Sequence, residues 1–132
     1  MVVILCYIFL FVIGFWLLYP YRVLEYHKLP LPLLKHELKI GEPVSVVHDF
    51  CKFMDIEVRV ETEIQNTVIF GLGSGRGKTM KGCYKRISKS IVVPPTFIVG
   101  EHARIHYALF YQVNPIRTIT YDLYSEEFTI VK

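Results

Sequence analysis

The chain has 132 residues, 52% of them hydrophobic, with 15 Lys or Arg against 12 Asp or Glu and a net charge of +3. That apolar content excludes a disordered chain, and so small a net charge excludes a dedicated nucleic-acid binder. Apart from an apolar opening segment, about 110 residues remain, which suits one domain and leaves no room for two.

Residues 1–21 carry no charged side chain, and Val2 to Leu18 include thirteen Leu, Ile, Val or Phe. About 20 apolar residues rising ~1.5 Å each span a hydrocarbon core of roughly 30 Å, so this stretch is predicted to be a transmembrane helix. A cleaved secretory signal needs a basic start and a small-x-small cleavage site. Here Met1-Val2 offers no basic side chain, and Gly14-Phe15-Trp16-Leu17-Leu18-Tyr19-Pro20 is too bulky for such a site. Trp16, Tyr19 and Tyr21 cluster as an aromatic belt does at a membrane–water interface. The expectation is an uncleaved single-pass anchor over 1–21, preferred over a signal peptide or a buried core helix.

Pro20, Pro30 and Pro32 follow. Proline fixes φ and holds its predecessor extended, so 22–35 is predicted to be a semi-rigid stalk ahead of a domain over 36–132. Within that domain the hydrophobic pattern turns to period two. Ile56, Val58, Val60 and Ile64 share one face of a strand, with Glu57, Arg59, Glu61 and Glu63 on the other. Further strands are predicted at 44–53, 66–70, 84–93, 104–113, 117–124 and 127–131. Short strands separated by turns point to an all-β fold, an immunoglobulin-like antiparallel β-sandwich of about seven strands. The tryptophan of true antibody domains is absent from it, since Trp16 is the only one in the chain.

Between Ile64 and Gly100 there is no Asp or Glu, but there are Arg76, Lys78, Lys81, Lys85, Arg86 and Lys89. The stretch opens with Gly71, Gly73, Gly75 and Gly77, predicted to be a flexible loop with Arg76 and Lys78 at its tip. Its Gly77-Lys78-Thr79 ending resembles a phosphate-binding loop. The G-x-x-x-x-G-K-[ST] pattern requires glycine at 72, where leucine stands, and Met80-Lys81-Gly82 is a poor helix start. The competing readings of the basic residues Arg76, Lys78, Lys81, Lys85 and Arg86 are a surface for a protein partner, for anionic lipid at ~1 kcal/mol per cation, or for nucleic acid. A solvated face without a partner is the plain alternative.

His48, Asp49 and Cys51 lie close in sequence, as do His102 and His106, but no zinc-ligand spacing or catalytic arrangement is present. No metal, cofactor or catalytic residue is therefore predicted. Phe110, Tyr111, Tyr121 and Tyr124 are candidates for an aromatic contact patch. Cys6 falls in the anchor, leaving Cys51 and Cys83, 32 residues apart, as a candidate disulfide. Such a bridge contributes on the order of 3–4 kcal/mol in the chain-entropy model and implies an oxidising compartment. Two buried free thiols are the alternative. For orientation, Arg22, Lys28 and Lys35 against Glu25 and Glu37 argue weakly for a domain inside the cell. The cysteine pair argues for one outside the inner membrane, and that side is the expectation.

Several short blocks occur together: Asp49-Phe50-Cys51-Lys52-Phe53, Lys81-Gly82-Cys83, Val93-Pro94-Pro95, Tyr111-Gln112-Val113-Asn114-Pro115-Ile116-Arg117 and Glu126-Glu127-Phe128. With them the chain, from about Tyr19 onward, resembles small membrane-anchored β-sandwich proteins of tailed bacteriophages and prophages. That family brings no function or site residues. The resemblance implies a bacterial inner-membrane setting and fits Cys51 and Cys83 acting as a pair. The glycine stretch is longer and more basic than the family's pattern.

These readings combine into a non-enzymatic, phage-type single-pass membrane protein. Its sandwich would bind a partner, or self-assemble, through the basic segment or the last strands. The alternatives are a basic module for nucleic acid or anionic lipid, and a nucleotide-binding protein using 71–79.

Overall fold

The computed structural model describes residues 1–66 and 69–132, with side chains from 71 onward in the second stretch. It opens with one helix, α1 (Val2–Leu18), and continues as strands. These are β1 (Leu24–Tyr26), β2 (Glu37–Lys39), β3 (Pro43–Lys52), β4 (Glu57–Gln65) and β5 (Ile69–Lys78). β6 (Gly82–Val92), β7 (His102–Asn114), β8 (Arg117–Tyr124) and β9 (Phe128–Val131) complete the chain.

The helix stops at Tyr19, whose ψ of 129° is extended, because Pro20 disfavours the helical region for the residue before it. α1 therefore has 17 residues rather than the 21 expected, a length of roughly 26 Å. Among the described residues, no helix is long and apolar enough to cross a membrane. No residue of α1 is buried against the rest of the chain. Two hydrogen bonds tie its C-terminal end to the domain: Asn114 Nδ2 donates to the Trp16 carbonyl at 2.8 Å, and Arg117 to that of the capping residue Tyr19.

The strands form a sandwich-like pair of sheets, ordered β1-β3-β6 and β2-β9-β7-β4-β5, with β8 also paired to β7. The predicted all-β class holds, but nine strands are present among the described residues instead of seven. One pair, β2 with β9, is parallel, so the sheets are not wholly antiparallel. The short strand expected at 66–70 lies partly outside the described residues.

The stalk expected over 22–35 is instead part of the sandwich. β1 adds to the edge of β3, and Val23 and Leu31 are completely buried, with Leu24 and Leu33 nearly so. Leu31 donates to the Tyr124 carbonyl, and its own carbonyl accepts from Glu126. Proline does keep this segment extended, as its ring requires. Extended chain with apolar side chains at 23, 24, 31 and 33 packs along a sheet rather than away from it, because burying each such side chain gains about 1.5–3 kcal/mol.

Both sheets show period two. On β7, Ala103, Ile105, Tyr107, Leu109 and Tyr111 face the opposing sheet, while Arg104, His106, Phe110 and Gln112 face outward. The core they share with β3, β4 and β9 includes Val44, Val46, Ile64, Ile105, Phe128 and Ile130.

Candidate functional site

The inner face of β3 carries Val44, Val46, His48, Phe50 and Lys52 in alternation. The first two are buried in the core, whereas the last three line a cavity of about 310 Å³ between the sheets. Across from them stand Val58 and Val60 of β4 and Tyr107, Leu109 and Tyr111 of β7, with Tyr26 of β1 and Arg86 of β6 at the sides.

The sheets part here for a reason visible in the ladder. Val58, Val60 and Thr62 pair with Gly77, Gly75 and Gly73. Paired residues point to the same face of a sheet, so β5 offers no side chain to fill the space toward β6. A Cβ built on any of these three glycines meets nothing within 4 Å. A second cavity of about 440 Å³ runs along this seam, between Gly73–Gly75 and Ser90–Val92.

The cavity's polar groups are few and largely uncharged. Lys52 is only 3% exposed, and its Nζ donates to the carbonyls of Ile56 at 2.8 Å and Thr79 at 2.7 Å. Among the described residues no carboxylate pairs with it, and desolvation lowers its pKa, with Asp55 opposing that shift and Lys78 adding to it. Its ammonium also sits 5.6 Å from the centroid of the Tyr111 ring, within cation–π range. Burial lowers the pKa of His48 by desolvating its charged form. Its Nδ1 lies 3.1 Å from the Tyr26 hydroxyl, whose own pKa burial raises. Burial likewise pushes Tyr107 and Tyr111 up to about 12. The Tyr107 hydroxyl is buried without a hydrogen-bond partner among the described residues, although Ser88 is close enough to temper its shift.

This is an aromatic, apolar pocket with two cations, Lys52 and Arg86, and no Asp or Glu among the described residues of its lining. Its one hydroxyl–imidazole contact among the described residues is that of Tyr26 with His48. It suits an apolar group carrying an anionic or hydrogen-bonding end.

The five predicted basic residues do not converge. Arg76 and Lys78 lie on the solvent face of β5, in register with Arg59 and Glu57, and Arg76 is 3.9 Å from Glu57. Lys81 sits in the turn before β6, its backbone N–H donating to Asp55. Lys85 is on the outer face of the three-stranded sheet opposite Asp49, and Arg86 alone reaches the cavity. The predicted glycine loop is itself strand β5, because alternating glycines still expose a full row of backbone donors and acceptors, and β4 pairs with them.

The aromatic patch is likewise divided by period two. Tyr111 and Tyr121 turn inward and meet edge to face at 6.0 Å. Phe110 and Tyr124 turn outward, Phe110 beneath the Arg59 guanidinium at 4.4 Å and Tyr124 stacked on His106 at 4.6 Å. The Cys51–Cys83 disulfide is formed, joining directly opposed residues of β3 and β6. Cys6 is free in α1. His102 and His106 do not share a site. His102 Nδ1 lies 3.0 Å from the Thr129 hydroxyl, while His106 is held between Glu63 and Asp122 at 2.7 and 2.9 Å.

Sequence reasoning missed Lys52, Tyr26 and Tyr107 as site residues. The even-numbered alternation from Val44 to Lys52 was the available signal for Lys52, since a cation on a buried face at period two needs an account. Nothing marked Tyr26, because its segment read as stalk.

Compared with known proteins, the chain matches no family model and no curated protein.

Proposed function

We propose that this chain is a non-enzymatic, membrane-tethered binding module whose inter-sheet cavity holds the apolar, anionic end of a partner or ligand. The observation that carries the reading is α1. It is apolar on every side, carries no charge and buries none of its 17 residues within the chain. A helix hydrophobic all round belongs in a bilayer or a larger core. α1 by itself is not long enough to cross a membrane, so the tether is insertion of this apolar helix into the bilayer, with local thinning or the uncharged Tyr19-Pro20-Tyr21 that follows making up the length. Trp16, Tyr19 and Tyr21 would then sit at the interface. An oxidising compartment for Cys51–Cys83 and the resemblance to phage-encoded proteins support an inner-membrane setting with the sandwich on its outer side. The dispersal of the basic residues over two sheets and two faces speaks against a nucleic-acid surface, and a β-strand at 71–78 against a nucleotide site.

Two measurements test this reading on the full chain. In alkaline extraction of bacterial membranes, α1 should keep the chain in the pellet, and release into the supernatant would overturn the tether. For the cavity, a fluorescent aromatic sulfonate should bind saturably to the detergent-solubilised chain. Lys52→Met should weaken that binding by about tenfold, or ~1.4 kcal/mol. Equal binding by wild type and variant would remove Lys52 as the anion's partner.

A further inference from the structure

The disulfide is more than a staple between two strands. Cys51 is 9% exposed, whereas Cys83 lies open on β6, the edge strand of its sheet. Cys83 is thus the more open of the two to an external thiol. Just past β1, His27 donates its backbone N–H to the Asp49 carbonyl at 2.9 Å, which fixes it beside β3. Its ring Nε2 then lies 3.1 Å from Cys51 Sγ. A sulfur within a disulfide is a weak acceptor, but a thiolate is a strong one. The contact would gain most of its strength once the bond is cut.

We propose that Cys51–Cys83 is a thiol–disulfide exchange site, in which Cys83 takes the attack, Cys51 leaves, and His27 stabilises the leaving sulfur. The co-reactant is a small thiol or a thiol oxidoreductase. Its thiolate forms a bond to Cys83 Sγ while the Cys51–Cys83 bond breaks. The electron pair departs on Cys51 Sγ, which accepts a hydrogen bond or a proton from His27 Nε2. A second thiolate attacks the sulfur attached to Cys83 and leaves Cys83 as thiolate, so two thiols are oxidised as one disulfide is reduced. This ordering follows the general preference for attack at the accessible sulfur and for departure of the better-stabilised thiolate.

The charges around the leaving group are mixed, which makes His27 the group that decides. Glu25 stands opposite Cys51 on β1 and is ion-paired with Arg22. Asp49 and Lys85 oppose each other two residues along the same face, and Lys28 follows His27 in the chain. Reduction frees β6 from its covalent tie to β3.

The test uses the full chain with Cys6→Ser, solubilised in detergent and exposed to glutathione at pH 7.5 with acid quenching. Peptide mass spectrometry should find the first adduct on Cys83. His27→Ala should slow adduct formation by on the order of tenfold, the worth of one hydrogen bond to a charged group. His27→Gln, which keeps a donor at this position, should recover part of the rate. A merely structural His27 would change the melting temperature and leave the rate of adduct formation on the folded chain the same in wild type, His27→Ala and His27→Gln. Equal rates in wild type and His27→Ala, adducts divided evenly between Cys51 and Cys83, or a bond that resists glutathione until denaturant is added would each overturn the proposal.

Discussion

The two ends of the sandwich are built from the same alternation yet differ in how they close. Along the inner face of β4, Ile64 is completely buried, whereas Val58, Val60 and Thr62 are only half-buried. Ile64 pairs with Ile105 on β7, near Phe128 and Ile130. The other three are flanked on their far side by Gly77, Gly75 and Gly73 of β5. Large side chains on both sheets close one end, and their absence from one edge strand leaves the other open. The closed end holds the completely buried Ile64, Ile105 and Ile130 and the nearly buried Phe128. The open end keeps the polar chemistry: Lys52, His48 and the hydroxyls of Tyr26, Tyr107 and Tyr111.

The largest expected effect comes from breaking the closed end. Phe128 is 1% exposed, and Phe128→Ala should cost about 3–5 kcal/mol, lost transfer energy plus a cavity that rigid neighbours cannot fill. Val58→Ala, at the open end, should cost only about 1 kcal/mol, because its side chain already borders empty space. Urea unfolding of the two variants in the same detergent measures the gap. Equal costs would mean that the open end is closed in solution.

A second effect is set by pH. His48 has its pKa lowered from the ordinary 6.5 because burial disfavours its charged form. The unfolded chain thus takes up this proton at a higher pH than the folded one. The stability contribution of neutral His48 is fully present above pH 6.5 and is lost as pH falls below it toward the folded value. Replacing His48 by Asn keeps an acceptor for Tyr26 and removes the titration. The stability difference between wild type and His48→Asn should shift against wild type as pH falls below 6.5, in urea midpoints taken from pH 8 to pH 5. A difference that stays constant would mean that the open end admits enough water to charge the imidazole.

What the sequence disclosed follows the same division. Strand alternation at 56–64 and 104–113 is a local property, and it predicted both strands and the two faces of β4. Period two also carried the answer for the aromatic patch, since Tyr111 and Phe110 are adjacent and must face opposite ways. Grouping them by closeness in sequence concealed it. The Cys51–Cys83 pair was readable by elimination of Cys6. Two features were not readable. Residues 22–35 have the composition of a linker, and only the presence of exposed edges on β3 and near β8 decides that they pack. The glycines of β5 have low strand propensity by themselves. Their strand state is imposed by the β4 edge, a non-local cause that leaves no mark in the segment itself.

The smallest effect most sharply tests why the open end is open. At Gly75 and Gly77 the backbone φ is not positive, and an added Cβ meets nothing within 4 Å. Alanine there fits the native conformation and reduces the freedom of the unfolded chain, so each of Gly75→Ala and Gly77→Ala should stabilise the fold by about 0.4–1 kcal/mol. Gly73 is equally uncrowded but has a φ of +111°, a region that only glycine enters freely, so Gly73→Ala should destabilise it instead. Opposite signs for neighbouring glycines in the same seam would separate two roles. Gly73 is there for its backbone angle, at the register shift between Thr62 and Glu63, and Gly75 and Gly77 for the space they leave. If Gly75→Ala and Gly77→Ala gain stability while weakening sulfonate binding in the adjoining cavity, the open seam is maintained for what it admits rather than for the fold.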